Sequence, residues 1–145
     1  MNDFIETRII SAVRELLTGQ VNELLGVIEC PIPLIDFTDY GGGSSVTPVI
    51  NLVTCERTEK ERIVRLDSYS LTISFTLPES PDSELHCYAY PGAVGRAVYE
   101  NPTLGGVVNR AVISAKKYIS PKKPHCGEPW ELVLALRITV EGMTE

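Results

Sequence analysis

Two His-Cys doublets, His86-Cys87 and His125-Cys126, hold both histidines of the 145-residue chain and two of its four cysteines. Together they contain the donor set of a Cys2His2 zinc site, provided a helix carrying the first doublet passes a loop carrying the second. Neighbouring side chains on a helix diverge by about 100°, so a single ion would rarely take both members of a doublet. Cys30, Cys55, Cys87 and Cys126 show no C-x-x-C spacing, and they read as reduced thiols, mostly small apolar fillers. A cysteine nucleophile needs a base held by a third group, and no family signature surrounds any of the four.

Other candidate chemistry is equally sparse. The tract "GGGSS" at 41–45 has the glycines of a phosphate cradle but lacks the Lys-Ser/Thr step that completes one, so it reads as a loop. Asp36 and Asp39, with Tyr40 beside them, could present oxygen ligands to a cation, yet the further oxygens of a calcium loop are missing. Lys116, Lys117, Lys122 and Lys123 gather positive charge around one hairpin. Their simplest role is to guard a sheet edge; their functional one is contact with phosphate or an acidic partner surface. Trp130 opens the last apolar run, as a core lid or an interface anchor would. No catalytic residue, cofactor or metal site is expected, and the chain reads as a non-enzyme.

The balance of 13 Lys and Arg against 19 Asp and Glu gives a net charge of −6. That opposes non-specific nucleic-acid binding, which depends on cations neutralising phosphates. With 43% hydrophobic residues a real core is within reach. The absence of a long apolar run or a basic-then-apolar leader leads us to expect a soluble, non-secreted protein with no membrane partner.

The elements that must position these residues follow from periodicity. Ile5, Ile9, Ala12, Val13, Leu16 and Leu17 make one apolar helix face, capped by Asn2 or Asp3, with Gly19 as a stop or Val21, Leu24 and Leu25 as a further turn. Pro31 and Pro33 exclude a central strand, and residues 36–48 are expected to be a mobile loop. Val49 to Cys55 reads as a strand, 58–62 as a hairpin connection. Tyr69, Leu71, Ile73, Phe75 and Leu77 then alternate with Ser70, Thr72, Ser74 and Thr76, the signature of a half-buried strand. The Ser/Thr face is uncharged as well as polar, as a surface partly covered by another subunit would be.

A second helix is expected after Ser80 as N-cap and Pro81 at the first helical position, kinked or broken at Pro91 and ended by Asn101-Pro102. Its small face, Ala89, Gly92, Ala93 and Ala97, would lie close on a sheet. Residues 107–119 read as a strand with Val107, Ala111, Ile113 and Ala115 on one face. The last strand shares Leu132, Leu134, Leu136, Ile138 and Val140 on one face, and a loop of this length makes the two antiparallel. The order predicts a single α+β domain over 1–145, with a largely antiparallel or mixed sheet packed by two main helices.

The sharpest punctuation is "YENPTLGGVV" at 99–108. Pro102 ends the helix, Gly105-Gly106 permits backbone angles that other residues resist, and Leu104 can tuck beneath the helix end. Taken with "TRIISAVRELL" and the closing "EPWELVLALRITVE", the junction resembles that of the tail terminator (tail-completion, minor tail) proteins of long-tailed phages and prophages. In those a helix runs through an A…-P-x-L-G-G-x-V corner into a strand. The matching residues are Ala97, Asn101, Pro102, Leu104, Gly105, Gly106 and Val108.

The resemblance implies a structural virion-assembly protein that forms a homo-oligomeric, typically hexameric, ring on the tail tube. It would stop tube polymerisation and offer the surface for joining the head. Partners would be the tail tube protein and a neck or head-completion protein, with DNA passing the channel without specific binding. The place would be the virion tail, and the host bacterial cytoplasm during assembly. Asp36, Asp39, Tyr40, Lys116, Lys117, Lys122 and Lys123 become candidate partner contacts. The alternative reading is a small-molecule-binding or enzymatic α+β domain with a pocket between helix and sheet.

Overall fold

A computed structural model of the chain describes residues 4–28, 32–37, 45–59, 64–78, 80–123 and 127–143. Helix α1 (Ile5–Leu16) passes through a wider π-helical turn (Leu17–Val21) into the short α2 (Asn22–Gly26). Its buried residues are Ile9, Val13, Leu17, Val21 and Leu25, each four positions after the last. Four residues overshoot one α-helical turn by about 40°, so such a stripe would wind off the core. The π turn takes up the excess and keeps the stripe facing inward. Gly19 therefore sits inside the helical run and does not stop it.

Strands β1 (Leu34–Ile35) and β2 (Ser45–Val46) form a small parallel pair apart from the main sheet. The Asn22 side chain donates to the Ile35 carbonyl (2.9 Å) and accepts from the Ile35 amide (2.8 Å), as a neighbouring strand would. Of the predicted 36–48 loop, Asp36 and 45–48 are held. The Asp36 amide donates to the Val46 carbonyl, and the Thr47 hydroxyl donates to the Asp36 carbonyl.

The main sheet contains β3 (Val49–Glu59), β4 (Val64–Leu77), β5 (Arg110–Ile119) and β6 (Trp130–Met143), in the spatial order β3-β4-β6-β5, antiparallel throughout. Together with the helices this is a mixed α+β single-domain fold without barrel closure. One face of the sheet carries Tyr69, Leu71, Ile73, Phe75 and Leu77 of β4 and Leu132, Leu134, Leu136 and Ile138 of β6, all buried. Helix α3 (Ser83–Glu100) lies on it: Tyr90 stacks on Phe75 with ring centroids 4.9 Å apart, and its hydroxyl donates to the Pro33 carbonyl. Tyr69 ties α1 to the same face by donating to Glu6 at 2.6 Å.

Several local expectations are corrected. Helix α3 begins at Ser83, two residues after Pro81, because Ser80 and Ser83 close a turn of their own: the Ser80 amide donates to Ser83 Oγ at 2.7 Å. Pro91 does not break the helix, which runs on to Glu100 with the ring buried in the core. Gly92 faces open space, and the close approach to the sheet falls to Ala93, Ala97 and Gly95, where an added Cβ would meet Ile113 at 3.6 Å. A bulge between Ile113 and Ala115 turns Ala115 to the opposite face from Ala111. Cys87 is a buried filler as expected, whereas Cys55 is exposed on β3. Cys30, His125, Cys126, Asn2 and Asp3 lie outside the described residues. Among the described residues no three of His, Cys, Asp and Glu gather as metal ligands, and no helix is long and apolar enough to cross a membrane.

Candidate functional site

The helix-to-strand corner is held from every side. Asn101 precedes a proline and is pushed out of helical angles (φ −130°, ψ 61°), which ends α3. Its amide donates to the carbonyls of Ala97 and Val98, and its side chain donates to Ala97 and to Gln20. Gln20 belongs to the π turn and donates onward to Glu100 at 2.7 Å, so the wide turn that corrects the apolar stripe also reaches the corner.

After Pro102 three consecutive residues take left-handed angles: Leu104 at φ 50°, Gly105 at 74° and Gly106 at 90°. The glycines were legible in the sequence; the leucine was not. A left-handed leucine costs roughly 1–2 kcal/mol, and burial of its side chain offsets that. Thr103 gathers the turn by accepting from the Gly106 and Val108 amides, while the Pro102 carbonyl accepts from Ala111 at 2.7 Å. The strand consequently starts at Arg110, later than the periodicity suggested.

Beside the corner lies an open groove of about 490 Å³ lined by Thr7, Arg8, Ser11 and Glu15 of α1 and by Leu104 and Gly105. It lies between a helix and the corner, outside the helix–sheet interior. No nucleophile–base pair converges in it.

The second feature is the sheet face turned away from the helices. Ser70, Thr72, Ser74 and Thr76 of β4 and Val133 and Ala135 of β6 are exposed or half-buried there, and no described element packs on them. Arg137 is exposed on the interior strand β6, opposite Ser70 of β4 and Val112 of β5, and Glu56, Arg110, Lys117 and Glu131 stand at the borders of the face.

Lys116 and Lys117 lie on β5, which is an edge strand, as the guarding role requires. They follow Ala115 after the bulge and point to opposite faces. Lys122 and Lys123 follow in the exposed connection, where the Lys122 amide donates to Glu128 at 2.9 Å. A strand of ten residues spans about 30 Å, so β5 separates the lysines from the corner, and the two sets do not form one site. Asp36 is half-buried beside β2; Asp39 and Tyr40 lie outside the described residues.

One cluster was missed in the sequence. Asp67 is buried on the helix-side face, where it accepts from Arg57 at 2.7 and 3.2 Å, with Arg65 Nε at 3.7 Å. The hydrogen bond and charge of Asp67 raise the Arg57 pKa above its usual value. The signal was available: Asp67 continues the inward series of Tyr69, Leu71 and Ile73, so its carboxylate had to enter the sheet's covered face. The Arg65 Nε is buried without a hydrogen-bond partner and lies over Gly142, where a Cβ would stand 3.2 Å away. No family model matches this chain, and no curated protein matches it in sequence.

Proposed function

We propose that the chain is a structural, ring-forming subunit of a phage or prophage tail, placed at the end of the tail tube to stop its growth and to present the head-joining surface. The observation that carries this reading is the one-sided sheet. The helices cover β4, β6 and the Arg110 end of β5 on one face only and leave the opposite face, rich in hydroxyls along β4, open to other chains. The locked Asn101–Gly106 corner, matching the motif in the sequence, supports it as a rigid element. Such a subunit works by shape repeated through symmetry and needs no catalytic group. The tube protein and a neck protein are its proposed partners, and a channel without strong cation density would pass DNA without holding it.

The measurement is mass by light scattering on a size-exclusion column across a concentration series, with negative-stain imaging of large species. Closed rings with a central hole are the expected outcome. A monomer at every concentration would favour the second reading, a small-molecule-binding or enzymatic domain. That reading is favoured by one observation, the α1–corner groove with Arg8, Glu15, Thr7 and Ser11 on its wall.

A further inference from the structure

The free edge of β5 is divided at its bulge. On the Arg110 side the corner occupies the edge: the Ala111 amide points away from β6 and donates to the Pro102 carbonyl at 2.7 Å. Beyond the bulge the ladder resumes with Ala115 opposite Ala135, Lys116 opposite Leu134, Lys117 opposite Val133 and Tyr118 opposite Leu132. Ala111 stands opposite Ile138, so β6 turns the backbone groups of every second residue from Arg137 toward β5, Ala135 and Val133 among them. The Ser114 hydroxyl, which donates to the Ala135 carbonyl at 3.2 Å, agrees with that phase. Ala115 and Lys117 therefore bond to β6, while Lys116 and Tyr118 turn their amides and carbonyls outward. No described residue bonds to those outward groups, and residues 114–120 are exposed.

An apolar shelf lies beside this open half. Lys116 and Tyr118 share the helix-side face with Leu134 and Leu132, but α3 covers β5 only toward its Arg110 end. Tyr118 meets Tyr88 of α3 edge to face, with ring centroids 5.6 Å apart. Leu85, Tyr88 and Gly92 follow one another along the same side of α3, and the glycine faces open space. Leu85, Tyr88 and Tyr118 are 47%, 50% and 42% exposed, a large apolar area for a surface.

The charge around the shelf is basic. Lys116 and Lys117 lie on the open half and Lys122 and Lys123 follow it, and none of the four ammonium groups pairs with a carboxylate. Of the acids at hand, Glu84 accepts from the Tyr88 hydroxyl at 3.1 Å and Glu128 from the Lys122 amide at 2.9 Å, while Glu131 stands opposite Ile119 on the other face. We infer that this half of β5 takes an extended acidic segment of another protein as an added strand. An aromatic or apolar residue of that segment rests on the Leu85–Tyr88–Tyr118 shelf, and carboxylates stand beside Lys116 and Lys117. The outward backbone groups give affinity and the alternate side chains give selectivity. The same lysines turn away basic strands, so the edge is guarded against general pairing and open to one kind of partner. Lysines alone would also suit a nucleic-acid strand, but the net charge of −6 and the outward backbone groups favour a peptide. The docking site does not depend on the ring reading.

The probe is a short synthetic peptide with one phenylalanine followed by two glutamates in a threonine and valine background. It is titrated into the full chain and followed by amide NMR shifts, which should saturate and centre on Lys116 to Ile119, Leu85 and Tyr88. Lys116→Pro removes one outward amide and leaves the β6 ladder whole, since proline is tolerated where an edge amide faces solvent. It should weaken binding about tenfold, and Tyr88→Ala about threefold, both with an unchanged melting temperature. K116E/K117E should lose the glutamate peptide and bind the version with lysines in place of the glutamates, a swap that loss of folding cannot produce. Three results overturn the docking site: no saturable shifts, equal binding of the two peptides by the wild-type chain, or full affinity in Lys116→Pro. Shifts at these residues from an oligothymidylate probe but not from the peptide overturn it too, in favour of a nucleic-acid strand.

Discussion

The two faces of β4 and β6 belong to the same backbone and have opposite fates. On one, Leu71, Ile73, Phe75, Leu134 and Leu136 are at most 1% exposed, under α1 and α3. On the other, Ser70, Thr72, Ser74, Val133 and Ala135 are open or half-open. Alternation alone separates them, since successive side chains of a strand point to opposite sides. The covered face holds the fold, and the open face is free to answer to a partner.

That contrast can be broken from either side. The largest effect belongs to Leu134→Ala, which should cost about 2–5 kcal/mol in equilibrium urea unfolding, the range for emptying a closed core site. A smaller effect is expected with alkali, from the buried Cys87 thiol under α3. Burial pushes its pKa up from 9.0 to about 11. Below pH 9 the thiol is protonated whether folded or not; between pH 9 and 11 only the unfolded chain releases the proton, so stability falls as pH rises. Cys87→Ala should lower stability at neutral pH yet flatten its decline over that window, measured as unfolding midpoints against pH.

The corner sharpens the comparison because its backbone conformation, as well as its packing, is specified. At most positions glycine is worse than alanine by about 0.5–1 kcal/mol, through backbone entropy. At Leu104 the order should invert: Leu104→Gly should be more stable than Leu104→Ala by about 1 kcal/mol, since only glycine relieves the left-handed angle. Equal or reversed stabilities would mean that the corner carries no strain. The smallest effect is assigned to the open face, where Thr72→Ala should shift unfolding by no more than about 0.5 kcal/mol. A loss comparable to that of Leu134→Ala would show that the face is covered in the folded chain and would remove the basis of the proposed function.

Periodicity made the fold legible wherever one face met a uniform environment. The β4 alternation and the β6 leucines reappear as buried sets, and of the α1 face Ile9, Val13 and Leu17 are buried with Ile5, Ala12 and Leu16 half-buried against them. It failed where a single residue changed the phase. The Ile113/Ala115 bulge flips the rest of β5, and the π turn at Leu17–Val21 absorbs what looked like a stop at Gly19. A break at Pro91 was the wrong expectation: a missing amide and a crowded carbonyl argue for one, yet the helix continues to Glu100 with the proline ring buried. At the corner Gly105 and Gly106 announced themselves, but Leu104 carries no mark of its left-handed angle, which tertiary packing imposes. The Arg57–Asp67 pair stayed hidden because its members lie on different strands, and only the register brings them together.

The strand order also sets a schedule. β3 and β4 are consecutive and can close as a hairpin within about 1–10 μs, the usual time for that event. The central partnership, β4 with β6, must wait until α3 and β5 have been looped out between them, and closing a long loop is entropically slow. During that wait β4 is itself an edge strand, with Leu71, Ile73, Phe75 and Leu77 on one side and a row of hydroxyls on the other. The hydroxyl row keeps the nascent hairpin from being sticky on both sides, and Asp67, with Arg57 across from it, places charge near the turn. Arrival of β6 closes this interval, so the chain's exposure to misassembly is governed by how fast one distant strand docks.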